Sequence, residues 1–325
     1  MLYGGIVFLL LFGWMALRSG DTAQRLQDII PVKTAPIEVA EVKTEDPHAP
    51  QEGLQDKKNI NALPPAPIEG LSENLDGKFL PKSRIEDDLS PFNAYKKPFA
   101  LVAGKTQISV VIVDFGLSST LAQSILDNMP PEISLVLTPY AAEPSKWASA
   151  ARAYGHEFWL QLPMQTAAFG KNDTGPSTIL STASVEENRK RLFDVLGVAV
   201  GYAGLVSEKN HILTQGSMDT KQITDQIFGR GLAFAESTPD IPAFGLSTAM
   251  EFGYPYVQNN FWLDEDLRPE SIDAALQRLE IQASRKGRAI AFLHPYPVAV
   301  NKVQEWIKHA DQKNIQIVPL SALVQ

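Results

Sequence analysis

The stretch ISVVIVDFGLS, residues 108–118, decides how this chain is read. Six uncharged residues run into Asp114, and Ser118 opens a stretch with helical spacing. The segment therefore reads as a buried strand that delivers a carboxylate at its C-terminal end. Similar apolar runs recur at 133–137, 158–162, 202–206, 232–235, 289–293 and 315–318, with amphipathic stretches between them. Gly155, Gly231 and Gly287 stand just before three of these runs, where a helix C-cap favours glycine. About seven such αβ repeats predict a parallel sheet, closed as a (β/α) barrel or left open and doubly wound. In either form the active site belongs at the strand C-termini.

Composition narrows the function classes. The 325 residues are 44% hydrophobic and 20% charged, which excludes a collagen-like or wholly disordered chain and allows a large core. A net charge of −8 without clustered Lys and Arg argues against a nucleic-acid partner. The absence of Cys excludes disulfides, Cys-ligated zinc and thiol catalysis. No phosphate-binding glycine loop and no Gly-x-Ser-x-Gly elbow occurs, so phosphoryl transfer and serine hydrolysis fall in rank.

Upstream of the repeats the chain divides in two. Residues 2–17, LYGGIVFLLLFGWMAL, carry no charge, which reads as a membrane anchor within residues 1–18. A cleaved signal peptide is the competing reading, but neither a basic n-region nor an A-x-A site accompanies the run. The flanking charges, Arg18, Arg25 and Lys33, fall after the run, and alone they favour a cytoplasmic domain. Residues 19–99 then hold 10 of the 23 Pro, with 14 acidic and 10 basic residues and no apolar period. Such a segment reads as a disordered tether over 19–100, leaving 101–325 as the folded domain.

The strand ends carry the chemistry. Asp114, Gln161, Glu208, Glu236 and His294 all fall there. A barrel would bring Asp114, Glu236 and His294 to one rim, where a His with two carboxylates can hold a divalent metal that activates water. Each has a plainer reading beside it. Asp114 can form a turn or cap the next helix, and Glu236 can sit in solvent or partner a nearby base. His156, at the start of a strand, reads as structural, and Asp264-Glu265-Asp266 reads as a second carboxylate cluster or, the plainer reading, as the lead into a helix from residue 269. Tyr140 and Tyr296 follow strand ends and can offer platforms to sugar rings, whereas Trp159, inside a strand, reads as core.

Taken in order, VVIVDFGLS, ISLVLTPYA, ARAYGHEFWLQLPMQ, GPSTIL, FWLDEDL, AIAFLHPYP and IVPLSALV resemble the divergent polysaccharide deacetylase family over residues 107–324. The resemblance implies a distorted (β/α) barrel in which a metal, zinc as the first choice, is held by an Asp and two His and activates water against an N-acetyl group. It also implies envelope glycan as partner and an inner-membrane-anchored, periplasmic domain. Asp114 matches the metal-binding Asp of that pattern, while Val113 replaces the aspartate proposed as catalytic base. His294 matches the late His-Pro, and Glu236 stands where the family tends to have Asp before Ser.

A gapless reading of GLVSEKNHILT puts Val206, Ser207 and Glu208 on the Asn-Asn-His positions. Glu208 is then a substitute ligand, or Asn210-His211 restores the motif by a shifted loop. The candidate metal set is Asp114, His294, Glu208 and Glu236; Asp114 and His294 are the catalytic candidates, and Tyr140, Gln161 and Tyr296 the substrate-binding ones. Two functional expectations follow: a metal-dependent deacetylase with a degenerate site, or a non-catalytic glycan-binding or scaffolding module that regulates envelope hydrolases.

Overall fold

The computed structural model describes residues 61–171, 173–213, 218–239 and 244–324. The apolar run 2–17 and the tether as far as residue 60 lie outside the described residues. Among the described residues no helix is long and apolar enough to cross a membrane.

The decisive stretch forms β3, Thr106–Phe115. Around it lie β4 (Ser134–Leu137), β5 (Phe158–Leu162), β6 (Gly204–Ser207), β7 (Ala233–Glu236), β8 (Tyr256–Gln258), β9 (Phe261–Trp262), β10 (Arg288–Leu293) and β11 (Ile315–Ile317). They hydrogen-bond in the order β8-β7-β6-β5-β4-β3-β10-β9, with β11 on the first residues of β3. All these pairings are parallel.

The two ends of this order, β8 and β9, are separated in sequence by Asn259 and Asn260 alone. The Asn259 N–H donates to the Glu236 carbonyl at 2.8 Å, and the Asn260 N–H to the Ile290 carbonyl at 3.1 Å. Neighbouring residues thus touch β7 and β10, so the sheet curls round until its ends meet. This is the α/β parallel architecture expected from the repeats. The β8–β9 step itself was not legible, because its strands are only three and two residues long.

Strand alternation sorts the core into two layers. Val111, Val113, Val136, Trp159, Val206, Ala235, Val257, Trp262 and Phe292 pack together on the concave face. Ile108, Val110, Ile112, Leu135, Leu160, Leu205, Phe234 and Leu293 face the helices. Those helices are α2 (Ser119–Asn128), α3 (Pro144–Ala153), α4 (Val185–Leu196), α5 (Met218–Gly229), α6 (Leu246–Phe252), α7 (Pro269–Lys286) and α8 (Pro297–Ile307). Local chemistry fixes their ends. Ser118 caps α2, Ser184 and Glu187 form a capping box on α4, and Gly287 closes α7 at φ +78°.

The tether expectation fails for residues 61–100. They form a hairpin, β1 (Ser72–Leu75) with β2 (Lys78–Pro81), and helix α1 (Pro91–Tyr95), all laid against the sheet. Leu71, Leu80, Phe92 and Tyr95 are buried, and Phe92 reaches Trp159 in the concave core at 6.4 Å between ring centroids. The contact is close enough to require glycine beneath it. A Cβ on Gly231 (φ +72°) would meet Ser83 Oγ at 2.3 Å, and one on Gly155 (φ +88°) would meet the Asn61 carbonyl at 2.5 Å. The segment therefore covers the N-terminal ends of β5 and β7, away from the strand C-termini.

His156 sits at this covered end, as its place before β5 suggested. It is buried and its Nδ1 lies 2.7 Å from the Ile133 carbonyl. Burial pulls its pKa down to about 4, so the folded state holds a neutral ring. The unfolded chain takes up that proton first, near pH 6.5, so stability is full above about 6.5 and declines as the pH falls toward 4. We expect this group to cost the wild type roughly 3 kcal/mol across that window. Urea unfolding of His156→Asn at pH 7 and pH 4.5 should show a correspondingly smaller loss; equal losses would contradict the assignment.

Candidate functional site

Four expected site residues come together at the strand C-termini. Gln161 follows Trp159 on the concave parity of β5, Glu208 follows Val206 of β6, and His294 follows Phe292 of β10. Asp114 joins them through a register shift in β3 between Ile112 and Phe115. Its φ of +53° is left-handed, a conformation that costs a non-glycine residue energy and is held here by the surrounding strands. The capping alternative does not hold for Asp114, since Ser118 accepts the helix N–H, although the Asp114 carbonyl does close a turn to Leu117.

Gln161 bridges the two carboxylates. Its Nε2 donates to Glu208 Oε2 at 3.1 Å, and its amide also lowers the Asp114 carboxyl's pKa. Burial pushes the Asp114 carboxyl above its ordinary value, while His294 and Gln161 draw it back. Burial and then the Asp114 charge push Glu208 up to about 7. Removing that charge should lower the Glu208 value. In Asp114→Asn we expect the carboxyl titration followed by NMR to move below about 7, and an unmoved midpoint would show that the two groups are not coupled.

His294 is held on three sides. Its backbone N–H and its Nδ1 meet Asp264 Oδ2 at 2.7 and 2.9 Å, which leaves Nε2 as the ring nitrogen for a ligand. The ring stacks on Trp262 at 4.9 Å between centroids and lies 5.6 Å from Tyr296. Asp264 is buried, and its Oδ1 has no partner among the described residues. The helix lead-in reading therefore does not hold for Asp264; Asp266 has that role, accepting from the Arg268 N–H at 3.0 Å.

Glu236 does not join the set. Ala235 faces the concave side, so the next residue points to the helical layer. There Glu236 accepts from Ser207 Oγ at 2.9 Å and from the Phe244 N–H at 3.0 Å, and it pairs with His211 Nε2. Both members of the pair are buried. The plainer reading of Glu236, partner of a nearby base, is the one observed. The shifted loop that would restore a ligand also fails, because His211 is committed to Glu236.

A divalent metal is what the resemblance calls for, and the donor set does not fit it. Among the described residues no three His, Asp or Glu side chains are grouped to hold a metal ion. Glu208 takes the place of the second imidazole, so His294 is the one imidazole that the described residues bring to this centre.

The two tyrosines differ. Tyr296 is 45% exposed beside His294, as a sugar platform needs. Tyr140, 37% exposed, also has a holding role: its hydroxyl accepts from the Ser177 N–H at 3.2 Å and its ring covers Gly175. Lys209, which the sequence did not single out, lies 4.2 Å over the Trp262 ring and 2.8 Å from Glu265.

The comparisons agree with this architecture. The family model described as divergent polysaccharide deacetylase matches residues 110–324. The crystal structure of the uncharacterized protein ATU2773 from Agrobacterium tumefaciens C58 superposes with a TM-score of 0.71 at 26% identity, covering 76% of this chain and 99% of that one. The uncharacterized protein YibQ of Escherichia coli K12 is 23% identical over 224 residues, 69% of this chain and 68% of its own length. An uncharacterized protein of Haemophilus influenzae is 22% identical over 223 residues, 67% and 77% of the two lengths. With a family match spanning more than half of its length and a curled parallel sheet bearing Asp114 and His294 at the strand ends, this chain belongs to the divergent polysaccharide deacetylase family.

Proposed function

We propose that the chain is a cell-envelope protein that binds amino-sugar glycan at the C-terminal end of its curled sheet, without metal-assisted deacetylation. The observation that carries this reading is the convergence of Asp114, Gln161, Glu208 and His294 with Glu208 in place of an imidazole, while His211 is locked to Glu236. A Lewis acid held by three ligands lowers the pKa of water and polarises a carbonyl. Asp114 and His294 keep two of the expected ligands and Glu208 replaces the third, but among the described residues no three such side chains are grouped for a metal, and the gapless match leaves no aspartate beside Asp114 to act as base. What the site retains is a set of polar side chains at the strand ends with the exposed Tyr296 ring beside His294, the kinds of group from which sugar-binding sites are built. Tyr296 presents an apolar face, and the polar groups beneath it take the ligand's hydrogen-bonding substituents.

The full-length chain should co-sediment with purified cell-wall glycan, and a chelator should not reduce the bound fraction. Retention no greater than that of serum albumin would overturn the reading. The envelope placement rests on the apolar run 2–17 and the family's ligand class. A periplasm-dependent reporter fused after residue 325 should be active, and an inactive fusion would overturn that placement.

A further inference from the structure

The polar centre has many more acceptors than donors. Three carboxylates stand at this end of the sheet: Glu208, hydrogen-bonded to Gln161, Asp264, hydrogen-bonded to His294, and Asp114 at the end of β3. Two acceptor atoms there are buried and have no partner among the described residues: Gln161 Oε1 and Asp264 Oδ1. Asp264 is itself 94% buried, at 6% exposure, and its other oxygen is fixed on His294. Lys209 does not offset the excess, being committed to Glu265 and the Trp262 ring. The arrangement needs a group that donates several hydrogen bonds, accepts none and carries positive charge. An ammonium does all three.

Around this centre the strand-end loops expose apolar side chains. Leu117 follows β3, Tyr140 follows β4, Phe169 follows β5 and Tyr296 follows β10. Exposed ring faces suit the apolar face of a pyranose. An acetamido group, neutral and carrying an acceptor of its own, would leave the carboxylates uncompensated.

Building on the glycan-binding reading, we propose that the site recognises the free ammonium of a de-N-acetylated amino sugar, set between Asp114, Glu208 and Asp264 with the pyranose against Tyr296. The domain is then a reader of deacetylated glycan.

Calorimetric titration of the full-length chain, at a pH where the sugar amine is protonated, tests this with glucosamine hexamer and N-acetylglucosamine hexamer. The amino hexamer should bind at least about tenfold tighter. Glu208→Gln, with an unchanged melting profile, should bring the two affinities within about threefold. Tighter binding of the acetylated hexamer would overturn the ammonium assignment and leave glycan binding intact. Binding of neither hexamer would overturn both. Equal binding of an oligolysine, or loss of binding in chelator, would also overturn the assignment, the first in favour of a basic peptide and the second in favour of a metal-mediated contact.

Discussion

Glu157→Ala should lower the free energy of unfolding by about 3–5 kcal/mol, the largest loss expected from any one side chain. Glu157 is fully buried at the start of β5, yet its carboxylate is surrounded by donors. It accepts from Ser134 Oγ at 2.8 Å, Trp159 Nε1 at 3.1 Å, the Lys97 N–H at 3.0 Å and the Ser321 N–H at 3.0 Å, and also from Ser321 Oγ. Those donors come from β4, β5, the segment before β3 and the 3-10 turn Leu320–Leu323. One carboxylate thus joins four parts of the chain beneath the concave core. Alanine strands all five donors in a dry place, and an unmade buried hydrogen bond costs more than a made one contributes. Urea unfolding should show a lower midpoint with an unchanged slope. A loss under about 1 kcal/mol would mean that the network contributes little beyond what solvent could replace.

Arg152→Ala should cost about 2–4 kcal/mol and release the N-terminal segment from the sheet. Arg152 is on α3 and only 3% exposed. Its guanidinium donates to the carbonyls of Pro64 at 2.8 Å, Tyr95 at 3.0 Å and Gly201 at 3.1 Å, and lies 5.2 Å from the Tyr95 ring centroid. Burial lowers its pKa to about 10, so it stays charged at neutral pH and holds three carbonyls at once. Without it, residues 61–99 lose the group that ties both ends of the segment to the helical layer. Limited trypsin digestion should then cut at Lys78, Lys82, Arg84 or Lys96 at least about tenfold faster than in the wild type. Unchanged cleavage would show that the hairpin and Phe92 hold the segment without the arginine.

These two residues also mark where sequence reading stopped. Repeating apolar runs and the glycines before them give the parallel α/β order, and Gly155, Gly231 and Gly287 do have the positive φ that a cap requires. The segment 61–100 was misread because Leu71, Leu80, Phe92 and Tyr95 bury one at a time, so no period betrays them. Glu157 gave no warning, since a glutamate at a strand start ordinarily faces water, and its partners come from positions as distant as Ser134 and Ser321.

The site followed a similar division. Asp114, Gln161, Glu208 and His294 were legible because each stands at the end of an apolar run; parity turns Gln161, Glu208 and His294 toward the concave face, and the register shift in β3 brings Asp114 to them. Glu236 has the same position in sequence and one residue's difference in parity, which delivers it to His211 instead. Asp264 was hidden by its acidic neighbours. Only the pairing of β9 with β10 brings it under His294, and a two-residue strand leaves no pattern to read.

A glycan site that works without a hydrolytic metal should bind its ligand and leave the N-acetyl group in place. The most direct measurement is acetate release from an N-acetylated glycan hexamer by the full-length chain supplied with excess zinc, beside His294→Ala. We expect no release above the protein-free rate from either protein. Release by the wild type that depends on zinc and disappears in His294→Ala would contradict the account and make the chain a working deacetylase.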